Sequence, residues 1–361
     1  MLRSLIAACL VCGIAAGPRA TVAGLPAIVD PGQGTVPLAS GSTGAVQLSG
    51  ITWTGGTGYL AVGDDGAASL WRVTIGMDTA TGRITSAAVT GGITASGLGS
   101  DSEGIAYRAA TGSVFVSDEV ASTLTQFDAT MGATLGGVGV PSIYAPANVQ
   151  SNMGLESLAF GAGGLWTANE EALVPDGGLS TTSQGSWVRI QRFDESLAVA
   201  GQWAYRTDPI SAMNQFTNVE RSGVVDILPW TATSLLVLER EFGGAVVPDF
   251  RSRLYAVDVA SGSDVSAVAS LAADAFTPVA KTLLWEQSFA VSNFEGMTFG
   301  PTLDDGSTSL LLVSDDGGGI SQNVYALAVV PEPAAAVIAL SAAVLVLPLV
   351  RSGRRNRRRR A

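Results

Sequence analysis

Residues 103–119 read EGIAYRAATGSVFVSDE: an acid opens a short apolar run, a turn follows, and a second apolar run ends in acids. Related units open at Ser49, Glu156, Asp226 and Glu295. Two strands joined by a short turn run antiparallel, so the start of the first strand lies beside the end of the second. The opening residue and the closing acid of each unit are therefore predicted to meet at one end of a hairpin.

The spacing of these units predicts a β-propeller. Their openings lie about 50 to 70 residues apart, which is close to the period of a four-stranded blade. We therefore expect an all-β fold, a propeller of five or six blades, in which residues 24–48 supply a strand that closes the ring or most of a sixth blade. A β-sandwich or jelly roll would share the strand pattern but would not explain the repeated acids. We expect insertions at Leu173–Gly185 and at Asp264–Phe289, the second with a short helix at Ala267–Phe276.

The first 23 residues are predicted to be a signal peptide. Arg3 precedes the apolar run Leu5–Ala16, as in secretory leaders. Both cysteines, Cys9 and Cys12, fall inside this segment, so the propeller domain at residues 24–329 contains no cysteine. The pattern predicts export without disulfides and excludes thiol chemistry.

Residues 330–361 form a tripartite C-terminal segment. The motif Pro331-Glu332-Pro333 is followed by the apolar run Ala334–Val350 and by arginines that extend to Arg360. Such a run predicts a short transmembrane helix, with the basic end on the cytoplasmic side. The segment resembles the PEP-CTERM sorting signal, which implies an inner-membrane stage, processing by an exosortase, and release or attachment at the bacterial surface. The alternative is an ordinary membrane anchor.

The charge and the residues that are missing narrow the chemistry. The net charge is −11, and the propeller domain is more acidic still because many arginines lie in the C-terminal tail. This surface should attract cations and repel nucleic acid. The chain has no histidine, which excludes Ser-His-Asp and Cys-His mechanisms and the usual zinc ligand sets.

Carboxylates at the ends of the repeated hairpins are the candidate metal ligands. Oxygen donors in such number suit Ca²⁺, which takes about 6–8 oxygen ligands. The alternative for any single acid is ordinary turn chemistry. The predicted ligands are Asp64, Glu103, Asp118, Glu156, Glu170, Asp226, Glu239, Glu295, Asp315 and Asp316. The predicted catalytic residues are Glu103, Glu156 and Glu295, as ligands or bases, with Arg240 as a phosphate clamp.

Several of these motifs together resemble the phytase-like propeller family, described as having esterase-like activity of phytase. The resemblance spans roughly residues 45–328 and implies a β-propeller, export, and a phosphoesterase or related hydrolase activity assisted by Ca²⁺. Ser49 stands where other units carry an acid, and Lys281 is the only lysine, which favours a simple phosphoester over phytate. The motifs are Glu103-Gly-Ile-Ala, Val-Ser-Asp118-Glu119, Glu156-Ser-Leu-Ala, Leu-Val-Leu-Glu239-Arg240, Asn293-Phe-Glu295-Gly-Met and Leu-Leu-Val-Ser-Asp315-Asp316.

Three functions are consistent with these residues. The first is an exported, calcium-dependent phosphoesterase that acts on a small phosphoester. The second is a non-catalytic propeller of the extracellular matrix or cell surface, stabilised by calcium. The third is a lactone or carboxylic ester hydrolase that uses the same metal site. A set of aromatic residues at equivalent positions is predicted to pack between blades in all three: Trp53, Tyr107, Phe160, Trp230 and Phe299.

Overall fold

Strands dominate the part of the chain that the computed structural model describes, which is residues 25–41, 43–211, 221–243, 249–315 and 322–331. The predicted signal peptide and the apolar run Ala334–Val350 lie outside these residues. No helix within the described ranges is long and apolar enough to cross a membrane. Short 3-10 helices occur at Ser142–Tyr144, Pro146–Asn148, Val174–Asp176 and Val259–Ser261.

The strands follow one another along the chain with few other elements between them. Most of them are joined by tight turns, as expected for runs of apolar residues separated by Gly, Asp, Ser and Thr. In chain order they are β1 (Ala27–Val29), β2 (Val36–Pro37), β3 (Leu48–Gly55), β4 (Gly58–Gly63), β5 (Ser69–Asp78), β6 (Arg83–Thr94), β7 (Ser102–Arg108), β8 (Ser113–Asp118), β9 (Thr123–Asp128), β10 (Thr134–Val138), β11 (Leu155–Gly161), β12 (Gly164–Asn169), β13 (Trp187–Phe193), β14 (Val199–Arg206), β15 (Arg221–Pro229), β16 (Ser234–Gly243), β17 (Asp249–Asp258), β18 (Ala280–Ala290), β19 (Asn293–Thr302), β20 (Thr308–Asp315) and β21 (Asn323–Val330).

These strands form five antiparallel sheets, the blades of a propeller. Blades 1 to 4 are β3–β6, β7–β10, β11–β14 and β15–β18, and blade 5 is β19–β21 with β1 and β2. The first strands of the blades, β3, β7, β11, β15 and β19, each contact the next around a closed ring. They therefore form the wall of a central channel.

The N-terminal segment closes the ring. Strand β1 pairs antiparallel with β21, with Ala27 opposite Val330, and β2 pairs with the other end of β21. The propeller thus has five blades, and residues 24–48 contribute a closing strand and not a sixth blade.

The core lies between the blades. Each pair of neighbouring blades shares one cluster of buried apolar side chains. Between blades 1 and 2, for example, Leu60 and Val62 pack with Ile105 and Val116. Because successive side chains on a strand point to opposite faces, each sheet supplies two such clusters. Continuous apolar runs such as Leu235–Leu238 are buried for this reason.

In blades 1, 2 and 5 the first strand lies very close to its neighbour at a glycine that follows the bulge residue. A Cβ on Gly50 would lie 2.2 Å from the Glu103 carbonyl oxygen, and one on Gly104 would lie 2.6 Å from the Leu158 amide nitrogen. A Cβ on Gly296 would lie 2.7 Å from the Ser49 carbonyl oxygen. Glycine at these positions therefore allows the ring to close to this diameter.

One expected insertion has a different structure. Residues 267–276 form turns and bends and contain no helix, and Ala280–Ala290 is β18, the outer strand of blade 4. The sequence pattern does not predict this strand, because most of its residues are exposed and it shows no alternation of apolar and polar residues.

Candidate metal centre

The first strand of each blade contains a β-bulge, which adds one residue opposite the second strand. In blade 3, Leu155 pairs with Asn169 and Ser157 pairs with Ala168, so Glu156 is the additional residue. In blade 4 the same count identifies Val225, since Val224 pairs with Glu239 and Asp226 pairs with Leu238. The equivalent positions of the five blades are Ser49, Glu103, Glu156, Val225 and Glu295.

A second set of equivalent residues lies at or near the end of each second strand. In blade 3, for example, Leu155 precedes the bulge residue and pairs with Asn169, and Glu170 is the next residue after Asn169. Four of the five residues at this position are acids. These positions are Asp64, Glu119, Glu170, Arg240 and Asp315. Together with the bulge positions and Asp101, they define what we call the acidic chamber, at one end of the central channel.

Two groups of carboxylates in the acidic chamber are spaced to hold a cation. The first group is Asp64, Asp101 and Glu103, and the second is Glu103, Glu119 and Glu156. In each group one oxygen per residue lies within 4.8 Å of the others. The first group is partly exposed at Asp64 and Asp101, whereas all members of the second are buried. Glu103 belongs to both groups.

Burial and mutual repulsion keep these carboxyl groups partly protonated when no cation is present. Burial raises the pKa of Glu119 to about 8 and that of Asp64 to about 7. Burial, together with the charges of Glu295 and Glu119, raises the pKa of Glu103 well above its usual range. Burial also raises the pKa of Glu156 strongly, with a further contribution from Glu103. Uncompensated buried charges are costly, so these residues favour a bound cation at neutral pH.

One oxygen of Glu119 supports this fit. Oε1 accepts a hydrogen bond of 2.6 Å from the Gly154 amide, which fixes the side chain. Oε2 is buried and receives no hydrogen bond from any described residue. A buried carboxylate oxygen without a donor is rare in proteins. The donor set of the two groups is made only of oxygen, which suits Ca²⁺.

The other side of the chamber carries positive charge from the protein itself. Arg240 Nη2 lies 2.7 Å from Glu295 Oε1 and 3.2 Å from Glu170 Oε1. Glu295 also accepts a hydrogen bond of 2.7 Å from Asn293, and its pKa is raised to about 7, mainly by burial. Both Arg240 and Arg221 act electrostatically on Glu170. The chamber is therefore asymmetric, with bare carboxylates on blades 1 to 3 and arginine on blade 4.

Three predicted ligands belong to neither carboxylate group and make other contacts. Asp118 accepts a hydrogen bond of 2.5 Å from the Ala121 amide and so shapes the turn after β8. Asp226 accepts from the Met297 amide at 2.6 Å, in the place where other blades have glycine or serine. Glu239 lies between blades 3 and 4, 2.7 Å from Lys281 Nζ and hydrogen-bonded to Tyr205. Asp316 lies outside the described residues.

The structure brings together Asp64, Glu103, Glu156, Glu170, Glu295 and Asp315, and it adds two acids to the predicted ligand set. The sequence motif contains Glu119, but the predicted ligand is its neighbour Asp118. The predicted set lacks Asp101, although the run Asp101-Ser-Glu103 places it two residues before a bulge acid. The bulge adds one residue to the first strand, so Asp118 pairs with Ser102 and not with Glu103. Allowing for this extra residue identifies Glu119, the next residue after Asp118, as the acid that lies beside Glu103.

The opposite end of the channel has a different lining. Residues from all five inner strands surround a cavity of about 150 Å³, including Trp53, Tyr107, Phe160 and Phe299, and none of the chamber acids lines it. Trp230 packs against Phe299 with ring centroids 5.9 Å apart. Four of the five repeated aromatic residues therefore line this cavity, and the fifth, Trp230, packs against Phe299 of the neighbouring blade.

The fold and the site together define a class of protein: a five-bladed propeller with buried carboxylates at one end of its channel. A family model described as "Phytase-like: Esterase-like activity of phytase" matches residues 43–318, and the chain belongs to this family. No curated protein matches the sequence.

Among solved structures, hydrazine synthase of Kuenenia stuttgartiensis is 12% identical with a TM-score of 0.32, over 76% of this chain and 58% of that chain. The WD40 propeller domain of Doa1 is 10% identical with a TM-score of 0.35, over 82% of this chain and 97% of that one. A luciferin-regenerating enzyme is 12% identical with a TM-score of 0.35, over 84% and 95% of the two chains. Likenesses at these values carry no argument about function.

Proposed function

We propose that this protein is an exported hydrolase of small phosphoesters that depends on a divalent cation, Ca²⁺ by ligand type. The observation that supports it most is the pair of carboxylate groups that share Glu103, in a propeller of the phytase-like family. Glu103, Glu119 and Glu156 would hold one cation, and Asp64, Asp101 and Glu103 a second. Bound there, a cation would neutralise the substrate phosphate and lower the pKa of a nearby water.

The protein groups around the cations would complete the reaction. Glu295, with a pKa of about 7, is suited to accept the proton of the attacking water at neutral pH. The water oxygen would form the new bond to phosphorus, the ester P–O bond would break, and the leaving alcohol oxygen would take a proton from solvent water. Arg240 and Arg221 bring positive charge to the same side and would attract the substrate phosphate.

The test is hydrolysis of p-nitrophenyl phosphate with added Ca²⁺ and then with a chelator. Phosphate release that the chelator abolishes and Ca²⁺ restores is the expected result. Hydrolysis of aryl acetates but not phosphates would favour a lactone or carboxylic ester hydrolase. Turnover that persists unchanged in chelator would contradict the proposed cation dependence.

A non-catalytic propeller is the second candidate, supported by the burial of Glu103, Glu119 and Glu156. These acids come from blades 2 and 3, so a cation between them would tie the two blades together. In that case Ca²⁺ should raise the melting temperature while neither ester class is hydrolysed.

We also propose export to the cell surface or the extracellular space. The sequence pattern supports a signal peptide at residues 1–23 and an exosortase-processed segment at residues 330–361, with an inner-membrane stage before processing. Fractionation of cells with and without the exosortase tests this. The protein should be found at the surface or in the medium when the enzyme is present, and in the inner membrane when it is absent. An unchanged distribution of the protein between these fractions would contradict processing by the exosortase.

A further inference from the structure

Arg240 occupies a position that is acidic in every other blade. The register places it with Asp64, Glu119, Glu170 and Asp315, at the end of the second strand. Blade 4 also lacks a carboxylate at the bulge, where it has Val225. Blade 4 therefore presents a cation to the chamber where its neighbours present anions.

The contacts of Arg240 are those expected of a bridging cation. Its Nη2 reaches one carboxylate from blade 3 and one from blade 5, Glu170 at 3.2 Å and Glu295 at 2.7 Å. Glu156 and Asp315 also act on it electrostatically. The arginine is itself buried, with 8% of its surface exposed. Removing it would leave buried carboxylates without compensation, which is strongly unfavourable.

The carboxylates that Arg240 contacts are absent from the groups able to hold a metal. Those groups, Asp64 with Asp101 and Glu103, and Glu103 with Glu119 and Glu156, lie on blades 1 to 3. Of their members, Glu156 acts on Arg240 electrostatically but forms no ion pair with it. Among the described residues no ion pair with a basic side chain involves any member of these groups. The chamber is thus divided between carboxylates that are left for an external cation and carboxylates that the chain compensates itself.

We infer that Arg240 takes the place of a divalent cation between Glu170 and Glu295 and so limits the acidic chamber to the two positions on blades 1 to 3. The inference rests on the proposed cation site, but it concerns a different pair of carboxylates. Replacing the guanidinium by a neutral group should open a further cation position. Arg240 is in this respect a positioning residue, because it sets where cations and therefore the substrate phosphate can sit.

The experiment counts bound calcium by equilibrium dialysis of the full-length chain with ⁴⁵Ca²⁺. We expect Arg240→Gln to bind one more ion per chain than the unmodified protein, and the double variant Arg240→Gln/Glu170→Gln to return to the original number. Arg253→Gln is the matched control, because Arg253 also pairs with two carboxylates, Glu241 at 2.8 Å and Glu286 at 2.9 Å, outside the chamber. Its calcium count should not change.

An unchanged count in Arg240→Gln, or an equal gain in Arg253→Gln, would overturn the inference. If Arg240→Gln does not fold without metal, refolding in calcium decides: recovery of folded protein supports the inference, and failure to recover contradicts it. If the unmodified protein binds no calcium, the proposed cation site fails, yet a gain of one ion in Arg240→Gln would still support the role of Arg240.

Discussion

At the scale of the residue, the position of each acid relative to the bulge decides its role. Glu103 and Glu156 occupy the bulge and face other carboxylates, whereas Asp226, one residue later on its strand, binds the Met297 amide. Glu119 joins the chamber, while Asp118 beside it shapes a turn. Adjacent acidic residues therefore have different contacts, because successive side chains on a strand point in opposite directions.

Glu103→Gln is expected to weaken cation binding at both groups, because Glu103 is the residue they share. The hydrolytic kcat/KM should fall by about 100-fold or more, the usual scale for loss of a group that organises the reaction. Isothermal titration with Ca²⁺ and a phosphatase assay measure the two effects. Glu195→Gln is the control, since Glu195 is exposed in a surface pair with Arg108. Equal losses in both variants would show that total charge, and not the shared carboxylate, controls binding.

At the scale of the element, β1 determines whether the ring is closed. Ile28 packs against the core between blades 4 and 5, whereas the adjacent Val29 is 49% exposed. Ile28→Asp should therefore cost about 1–3 kcal/mol by placing a charge against that core, and Val29→Asp should have little effect. Thermal unfolding of the two variants measures the difference. Similar melting temperatures would indicate that β1 contributes little to closure.

The inner strands carry a second prediction. Gly104→Ala would place a methyl group 2.6 Å from the Leu158 amide nitrogen, so blades 2 and 3 would have to separate. We expect a loss of about 1–3 kcal/mol in stability, together with weaker Ca²⁺ binding, because Glu103 and Glu156 belong to those blades. Gly136→Ala is the control, since no atom lies within 4 Å of its added Cβ. Chemical denaturation and calcium titration report the two effects, and wild-type calcium affinity in Gly104→Ala would contradict the coupling.

The elements also show what the sequence could and could not predict. The repeated apolar runs predicted the inner two strands of every blade, because these strands are buried on both faces. The predicted fourth unit opens at Asp226, one residue late, because its bulge residue is the apolar Val225 and Asp226 resembles the opening acid of the other units. The prediction of Asp118 in place of Glu119 as a ligand has the same cause, a bulge that no local sequence signal marks. The ion pairs of Arg240 join three blades and depend on ring closure, which a linear pattern does not contain.

At the scale of the whole molecule, the chamber links stability to pH. The pKa of Glu119 is about 8 in the folded protein against an ordinary value of 4.5, and that of Asp64 is about 7 against 3.8. Carboxyl groups with a raised folded pKa favour folding fully only below their unfolded pKa. Their contribution is lost as the pH rises through the folded pKa.

The metal-free protein is therefore expected to lose stability between about pH 4 and pH 8, with a fall in melting temperature on the order of 5 °C or more. Saturating Ca²⁺ should remove most of this loss, because a cation stabilises the ionised carboxylates. Melting curves in chelator and in Ca²⁺ at several pH values across this range test the prediction. A metal-free protein that is equally stable at both ends of the range would contradict the burial of ionisable carboxylates in the chamber.

The pairing of β1 with β21 has a consequence for the order of events during synthesis. Blade 5 takes strands from both ends of the chain, so a growing polypeptide can assemble four blades and still hold an open arc with two bare edges. Exposed edges of this kind invite pairing with other chains. Strand β21 is the last of the described strands to be synthesised, and until it is present β1 has no strand to pair with.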